Sequence, residues 1–349
     1  MHESKYTDLA PIKHRKEFGQ FFTPNNIADL MISWIIKDHP KSILDPAFGL
    51  GRFFDSLLKI NKLRIYNTLY KAYEIDPSII SYLDYDSSSS PIIEIADYLE
   101  ADLKSYDAIV CNPPYMRFQN FLKRHYILPE IEKKVGIKLD GYANIASIFL
   151  IKSLTELNIG GRLAYIMPFE FFNAGYGKEI KRFLIENSLL KQMIVFSNEK
   201  DIFSEVITTV CILLCRKDGV ANPIKFTRID HIDQLKNIRS FEDFFQYELA
   251  PCQLPPDKKW SPIIAGLYEQ VTIPSELSKI SEYGKFVRGI ATGANEFFAL
   301  NREKIKNLGF GSNNYCRCIT KSPQIRKSIF TENDFNELKK SGAPVYCLN

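Results

Sequence analysis

The sequence predicts an α/β fold built on a mostly parallel sheet with an antiparallel edge, and two observations carry this prediction. The first 215 residues alternate between short apolar runs and segments whose apolar residues recur at helical spacing. Strands that alternate with helices indicate parallel pairing, with helices on both faces of the sheet. The apolar runs 191–196 and 206–215 have little helical sequence between them, which predicts an antiparallel pair at one edge.

The individual elements follow in chain order. Thr23-Pro24 opens a helix over roughly 25–38, because threonine is a good N-cap and proline suits the first helical position. Further helices are predicted over about 51–60, after Pro77, over 144–157 and over 177–187. The predicted strands are 42–45, 69–75, 107–111, 162–168, 191–196 and 206–215, and a further apolar run precedes Asp97.

The pattern changes near 249–263, where four prolines indicate a linker. We therefore expect one domain over 1–248, a linker over 249–263 and a second domain over 264–349. From Lys279 to the end the chain has 12 Lys+Arg and 6 Asp+Glu, a net charge of +6. Such an excess favours a polyanionic partner, although solvated lysines alone explain many similar cases.

Composition sets the class of protein. The 349 residues are 45% apolar and 25% charged, and no apolar run approaches the roughly 18 residues of a membrane span. The polar N-terminus does not resemble a secretory signal, and the seven cysteines are scattered without a C-x-x-C pair. We expect reduced thiols, no metal site, no membrane partner and a cytoplasmic location.

Three acidic residues that follow apolar runs predict a ligand site. In "ILDPAFGLGRFF" a strand ends in Asp45, and Gly49 and Gly51 then allow a tight turn into a helix. The third glycine of a dinucleotide fingerprint is missing, and Asp45 would repel a phosphate but suits an amine. Glu74, in "YEIDP", stands where a carboxylate can hold ribose hydroxyls. Asp97 can accept a hydrogen bond from an exocyclic amine, so a ligand with an amine, a ribose and an adenine but no phosphate is expected. S-adenosylmethionine fits this description.

Five segments in this order, "FGQFFTP", "LDPAFGLGRF", "YEIDP", "ADYL" and "NPPY", then carry a resemblance to a known family. Their order and spacing are similar to those of gamma-class N6-adenine DNA methyltransferases of restriction–modification systems. These are the TaqI-like group, which includes type II and type IIG modification methylases. The resemblance covers about 17–215 and, weakly, 284–300. It implies a Rossmann-like, S-adenosylmethionine-dependent methyltransferase fold.

The resemblance also implies a set of cofactor-binding residues: Thr23, Asp45, Ala47, Gly49, Gly51, Glu74, Ile75, Asp97 and Phe149. Thr23 would contact the methionine end of S-adenosylmethionine. Glu74 would bind the ribose hydroxyls and Asp97 the adenine amine.

The resemblance further implies that the loop Asn112, Pro113, Pro114 and Tyr115 is catalytic. Adenine N6 is a poor nucleophile because its lone pair is delocalised into the ring. Acceptors for both amine hydrogens, the Asn112 oxygen and the Pro113 carbonyl, would concentrate that lone pair, and proline rigidity keeps the carbonyl in place. Tyr115 offers a face for stacking on a flipped-out target adenine of double-stranded DNA, and the resemblance implies that Phe203 stacks on the other side of the base.

The segment "FVRGIATGANEFFAL" (286–300) resembles the start of a target-recognition domain, with Arg288, Thr292 and Asn295 as candidate DNA contacts. We expect this recognition domain to be incomplete, and a cognate restriction endonuclease to be a separate chain. Three alternatives stay open: a glutamine methyltransferase acting on a release factor, an RNA methyltransferase and a non-enzymatic specificity subunit. NPPY also occurs in the first two, whereas the ordered set of five segments favours DNA.

Overall fold

The computed structural model of the chain has a nine-stranded sheet in its first part. The structure describes residues 23–60, 68–83, 85, 90–115, 124–138, 144–197, 209–236, 238, 240–268, 278, 280–285 and 294–348. Within these ranges the strands are β1 (Ser42–Asp45), β2 (Leu69–Glu74), β3 (Ile92–Ile95), β4 (Tyr106–Cys111), β5 (Leu157–Pro168), β6 (Leu190–Phe196), β7 (Val210–Arg216), β8 (Ile224–Ile229) and β9 (Tyr247–Leu249). Their order across the sheet is β3-β2-β1-β4-β5-β7-β6-β8-β9.

The described α-helices of this part are α1 (Asn25–Ile35), α2 (Arg52–Ile60), α3 (Arg124–Val135), α4 (Ile145–Glu156), α5 (Gly177–Glu186) and α6 (Trp260–Tyr268). The segment after Pro77 differs from the expected α-helix. It forms a 3-10 helix over Pro77–Tyr82, whose first turn is capped by the Asp76 carboxylate accepting from the Ser78 amide at 3.0 Å.

The mostly parallel sheet with an antiparallel edge is confirmed. Strands β3, β2, β1, β4 and β5 are parallel to one another, whereas β7 is antiparallel to both β5 and β6. The antiparallel side is wider than the expected strand pair, because β8 and β9 continue the sheet beyond β6.

Two apolar layers cover the two faces of the sheet. In β4, Ile109 and Cys111 belong to one layer and Ala108 and Val110 to the other, as the period-two alternation of a strand requires. Helix α4 is buried almost all round and packs in the first layer, while α1 and α2 pack in the second. Since both faces are covered, ligands can reach these strands only at their ends.

The segment 249–263, which the sequence predicts to be a linker, packs onto the first part of the chain. Leu254 and Trp260 are fully buried, and the Trp260 ring stacks on Phe172 with ring centroids 4.9 Å apart. The apolar side chains between the prolines explain the difference, because they bury in the core beside α5. The chain divides into two compact units after Val271.

The second unit has a small sheet and its own core. Its described elements are α7 (Asn295–Phe298), β10 (Ala299–Leu300), α8 (Arg302–Leu308), β11 (Tyr315–Arg317), α9 (Glu332–Lys340) and β12 (Tyr346–Leu348). Both β10 and β11 pair antiparallel with β12, and Leu300, Phe335, Val345 and Tyr346 form the core. In neither unit does a described helix have the length and apolar character needed to cross a membrane.

Candidate functional site

The carboxyl ends of β1, β2, β3 and β4 meet at one edge of the sheet. The strand order β3-β2-β1-β4 reverses direction beside β1, since β2 lies on one side of it and β4 on the other. Ligands of open α/β sheets bind at such a switch point, outside the carboxyl ends of the strands. The acidic residues singled out in the sequence end three of these strands or follow them directly.

The turn after β1 is held open by its two glycines. Gly49 and Gly51 have φ of +55° and +74°, backbone conformations that favour glycine. A Cβ on Gly51 would lie 1.9 Å from the Tyr85 hydroxyl oxygen, so a side chain does not fit there. The Gly49 amide donates to Glu74 Oε2 at 2.8 Å, which joins this turn to the end of β2.

Asp45 is the most deeply placed acid of the site. Its side chain is fully buried, Oδ2 accepts from the Tyr70 hydroxyl at 3.1 Å, and Oδ1 accepts from the Ala47 amide at 3.3 Å. Burial raises the pKa of Asp45 to about 7, because these two donors compensate only part of the lost hydration. The group therefore titrates near neutral pH.

Glu74 is held by two backbone amides. Oε2 accepts from Gly49 and Oε1 from the Asp76 amide, each at 2.8 Å. The side chain is 8% exposed, and burial raises its pKa above the usual range for a glutamate. The next residue, Ile75, is 49% exposed and presents apolar surface beside the carboxylate.

Asp97 follows β3 on the neighbouring strand. The Ala96 amide donates to the Glu74 carbonyl at 2.9 Å, which brings the ends of β2 and β3 together. Asp97 Oδ1 accepts from the Leu99 amide at 2.9 Å. Phe149, on α4, packs against Tyr98 with ring centroids 5.1 Å apart, so it lies close to the turn that carries Asp97.

The Asn112–Tyr115 loop follows β4 at the same edge. Asn112 Nδ2 donates to Thr23 Oγ1 at 3.2 Å, so two residues 89 positions apart in the chain share a hydrogen bond. Pro113 is buried, and the ring of Tyr115 packs against both apolar layers of the sheet. Burial raises the pKa of the Tyr115 hydroxyl well above that of a free tyrosine.

Most of the site residues expected from sequence thus lie at one edge of the sheet. Three hydrogen-bonded pairs lie there: Ala47 donates to Asp45, Gly49 to Glu74 and Asn112 to Thr23. Phe203, Arg288 and Thr292 lie outside the described residues, and Asn295 begins α7 in the second unit. No group of three or more His, Cys, Asp or Glu in the described ranges could hold a metal ion.

A buried polar network behind Asp97 was missed by the sequence reasoning. Lys152 Nζ donates to the Tyr98 carbonyl at 2.9 Å and to Glu156 Oε1 at 3.3 Å, and the Tyr98 hydroxyl donates to Glu156 Oε2 at 2.5 Å. The Ser153 hydroxyl links the Tyr98 and Tyr165 hydroxyls. The sequence signal for this network is a lysine and a glutamate four residues apart in a mostly apolar helix.

Comparison with known proteins agrees with this geometry. Residues 54–203 match the family model described as Eco57I restriction-modification methylase. Residues 262–349 match the C-terminal domain of the Type II methyltransferase M.Eco57I. The chain is 37% identical over 358 residues to the Type II methyltransferase M.AccI of Acinetobacter calcoaceticus, covering 99% of this chain and 65% of that protein. It is 34% identical over 226 residues to M.HincII of Haemophilus influenzae, covering 63% and 41% respectively.

Solved structures share the fold. The type IIG restriction endonuclease BpuSI superposes with a TM-score of 0.61 at 17% identity, over 99% of this chain and 44% of that one. A putative class I S-adenosylmethionine-dependent methyltransferase from Listeria monocytogenes superposes with a TM-score of 0.50 at 17% identity, over 76% and 78%. The chain spans less than two thirds of the length of M.AccI and M.HincII. The chain thus carries Eco57I-type restriction–modification methyltransferase domains over residues 54–203 and 262–349, and it is similar to the Type II methyltransferase M.AccI along nearly its whole length.

Proposed function

We propose that the chain is a site-specific methyltransferase that transfers a methyl group from S-adenosylmethionine to N6 of adenine in double-stranded DNA. It would be the modification part of a restriction–modification system. The observation that carries the proposal is the Asn112–Tyr115 loop, which lies one strand away from the buried carboxylate of Asp45. Methyl transfer needs a donor site and an amine site side by side, and β1 and β4 are neighbours in the sheet.

The carboxylates at the carboxyl ends of β1, β2 and β3, namely Asp45, Glu74 and Asp97, fit S-adenosylmethionine in charge and in chemistry. Neither Asp45 nor Glu74 has a cationic partner among the described residues, so the amino group of the cofactor would supply the missing positive charge. Glu74 has two oxygens for the two ribose hydroxyls, and Asp97 would accept from the adenine amine. S-adenosylmethionine, when bound, supplies an activated methyl group on a sulfonium.

Other predicted contacts support the same arrangement. The exposed face of Ile75 and the nearby ring of Phe149 offer apolar surface for adenine. The Gly49–Gly51 turn and Ala47 present backbone rather than bulky side chains to the amino acid portion. Thr23, which hydrogen-bonds Asn112, would lie between cofactor and substrate.

The proposed catalytic role of the loop is to bind both hydrogens of the target amine. Because Asn112 Nδ2 donates to Thr23, the amide oxygen is turned away from Thr23 and can accept one amine hydrogen. The carbonyl of the buried Pro113 would accept the other. These acceptors are fixed before the substrate arrives, so they stabilise the developing charge without reorganising.

The target adenine would have to leave the duplex to reach this loop. Tyr115 is already packed against both apolar layers and would offer its remaining ring surface for stacking. Phe203 is proposed to stack on the opposite side of the base. Neither residue needs to exchange a proton with the base.

Recognition of the DNA sequence is proposed to reside in the second unit. The region from Lys279 onward carries a net charge of +6, which suits the phosphate backbone. Arg288, Thr292 and Asn295 are the candidate contacts. A separate restriction endonuclease that cuts the same site would be the functional partner.

The test is expression of the chain in bacteria that lack other adenine methyltransferases, followed by sequencing that detects modified bases. We expect N6-methyladenine at one recurring sequence. Methylated cytosine, methylated RNA or no modification at all would contradict the proposal. A peptide containing Gly-Gly-Gln, offered to the purified protein with labelled cofactor, should stay unmodified.

Asn112→Ala should abolish methyl transfer because the target amine loses one of its two acceptors. S-adenosylmethionine should still bind, because the carboxylates proposed to hold it are unchanged. Binding is measured by calorimetry and transfer by incorporation of labelled methyl groups into DNA. Asn187→Ala is the matched control, since its exposed side chain caps α5 far from the loop. Near-normal transfer by Asn112→Ala would refute the assigned role.

A further inference from the structure

A cavity of about 300 Å³ lies at the opposite end of the sheet from the Asn112–Tyr115 loop. Its position follows from the strand register. Arg162 pairs with Arg216 at one end of β5, whereas Tyr165 farther along β5 pairs with Cys111 at the carboxyl end of β4. The cavity is therefore separate from the proposed methyl-transfer site.

Three buried polar atoms converge on this cavity. Trp34 Nε1, Gln192 Oε1 and Arg216 Nε have no hydrogen-bond partner in the described part of the chain, and all three residues line the cavity. Arg216 Nε lies 3.7 Å from Asp218 Oδ2, within ion-pair range but too far for a hydrogen bond. Trp34 and Gln192 are 5% and 1% exposed. Buried polar groups in folded proteins nearly always have partners, so a cluster of unpaired ones indicates a bound ligand or bound solvent.

The orientation of the two deepest groups is fixed. The Trp34 ring lies under the Arg162 guanidinium, whose carbon is 4.3 Å from the ring centroid. Gln192 Nε2 donates to Thr227 Oγ1 at 3.1 Å and to the Phe241 and Phe244 carbonyls at 2.9 and 3.0 Å. Because the amide nitrogen is fully engaged, Gln192 can offer the cavity only an acceptor.

The charge of the lining favours an anion. Its cations are Arg162, Lys191, Arg216 and Lys225, and its carboxylates are Asp218 and Glu242. Each carboxylate already pairs with a lining cation: Asp218 with Lys191 at 2.7 Å, and Glu242 with Arg162 at 2.9 Å. Arg216 also pairs with Asp38, with 3.2 Å between Nη2 and Oδ2, and its Nε lies 3.7 Å from Asp218 Oδ2. Two flanking residues belong to the same ion-pair network: Asp38, which also pairs with Arg162, and Lys37, which pairs with Glu242. With both counted, five cations stand against three carboxylates, so the cations are in excess by two.

We propose that this cavity binds hydrogen phosphate. Trp34 Nε1 and Arg216 Nε would donate to its oxygens, and its hydroxyl would donate to Gln192 Oε1. The unpaired acceptor decides between anions of similar size and charge, because sulfate has no proton to donate at neutral pH whereas hydrogen phosphate keeps one. A nucleoside monophosphate loses its last phosphate proton near pH 6 and so would leave Gln192 unpaired at pH 7.5.

The test is calorimetric titration of the purified chain at pH 7.5 with inorganic phosphate, sulfate and a nucleoside monophosphate at constant ionic strength. We expect phosphate to bind about tenfold more tightly than either other anion, the difference that one charge-assisted hydrogen bond supplies. Equal affinity for phosphate and sulfate, or for phosphate and the monophosphate, would overturn the proposal.

Two variants test whether the binding occurs in this cavity. Trp34→Phe removes the unpaired N–H but keeps a ring under Arg162, and Arg216→Gln removes the second donor. Each should weaken phosphate binding about tenfold. Lys236→Gln, which removes a charge from an exposed ion pair with Asp233, should not change it. If Trp34→Phe unfolds the chain, Arg216→Gln alone decides, and unchanged binding in the folded variants would show that the cavity holds only solvent.

Discussion

Two groups of buried charged side chains in the first unit differ in how their charge is balanced. Lys152 and Glu156 form an ion pair with 3.3 Å between Nζ and Oε1, and both are almost fully buried. Asp45 and Glu74 are buried to a similar degree, yet in the described residues they accept hydrogen bonds only from uncharged N–H and O–H groups.

This difference separates a structural network from a ligand site. Burying a charge is costly unless a partner of opposite charge is present. Lys152 and Glu156 are complete without any ligand, and they fix the Tyr98 backbone next to Asp97. The unbalanced acids instead keep raised pKa values, which is typical of positions where a ligand supplies the missing charge.

The largest expected effect is on stability, at the buried ion pair of Lys152 and Glu156. Lys152→Met should lower the free energy of unfolding by about 3–5 kcal/mol, because it leaves the Glu156 carboxylate buried without its counter-charge. Chemical denaturation monitored by circular dichroism measures the loss.

Two controls sharpen this prediction. Replacing both partners, Lys152→Met with Glu156→Leu, should recover much of the loss, since no charge stays buried. Lys59→Met removes an exposed ion pair with Asp29 and should cost at most about 1 kcal/mol. Equal losses for Lys152→Met and Lys59→Met would contradict the structural role of the buried pair.

The next largest expected effect is on cofactor affinity, at the buried acids Asp45 and Glu74. Asp45→Asn should weaken S-adenosylmethionine binding about 10- to 100-fold at pH 7.5, because a charge-assisted contact with the amino group is lost. The fold should tolerate the change, since a neutral amide at this buried position needs less hydration than a carboxylate.

The pH dependence of binding identifies Asp45 as the titrating group. Its pKa of about 7 means that below pH 7 the carboxyl is neutral, so affinity should fall about tenfold per pH unit as the pH decreases. Above about pH 8 the cofactor amine loses its charge and affinity should fall again. In Asp45→Asn the fall due to this group should vanish, whereas Asp233→Asn, at an exposed side chain, should behave like the unaltered chain.

Much of the fold could be predicted because its strands are short buried runs with clear ends. The limits of β1 and β2 follow from the apolar run, the acid at its end and the glycine or proline that comes next. Strands β8 and β9 were missed because they are stabilised by pairing with β6 and with each other, which local spacing cannot reveal.

The candidate site likewise has residues that the sequence predicts and contacts that it does not. Asp45 and Glu74 could be inferred from sequence because the carboxyl ends of neighbouring parallel strands must meet at one edge. Their hydrogen-bond partners could not, since Tyr70 reads as an ordinary strand residue until packing places its hydroxyl 3.1 Å from Asp45 Oδ2. The Tyr98–Glu156 contact likewise joins residues 58 positions apart.

The smallest expected effect comes from Tyr70, the residue whose hydroxyl donates to Asp45. The Tyr70 hydroxyl stabilises the ionised form of Asp45, so Tyr70→Phe should raise the pKa of Asp45 further above 7. The pH below which cofactor affinity declines should then move upward, and affinity at about pH 6 should drop about fivefold, the effect of roughly 1 kcal/mol from one hydrogen bond. Titrations with S-adenosylmethionine between pH 6 and 8 measure the shift, with the exposed Tyr283→Phe as control. A decline that moved to lower pH would mean that Tyr70 does not stabilise the Asp45 carboxylate. The balance of burial and hydrogen bonding that sets the pKa of Asp45 would then need another explanation.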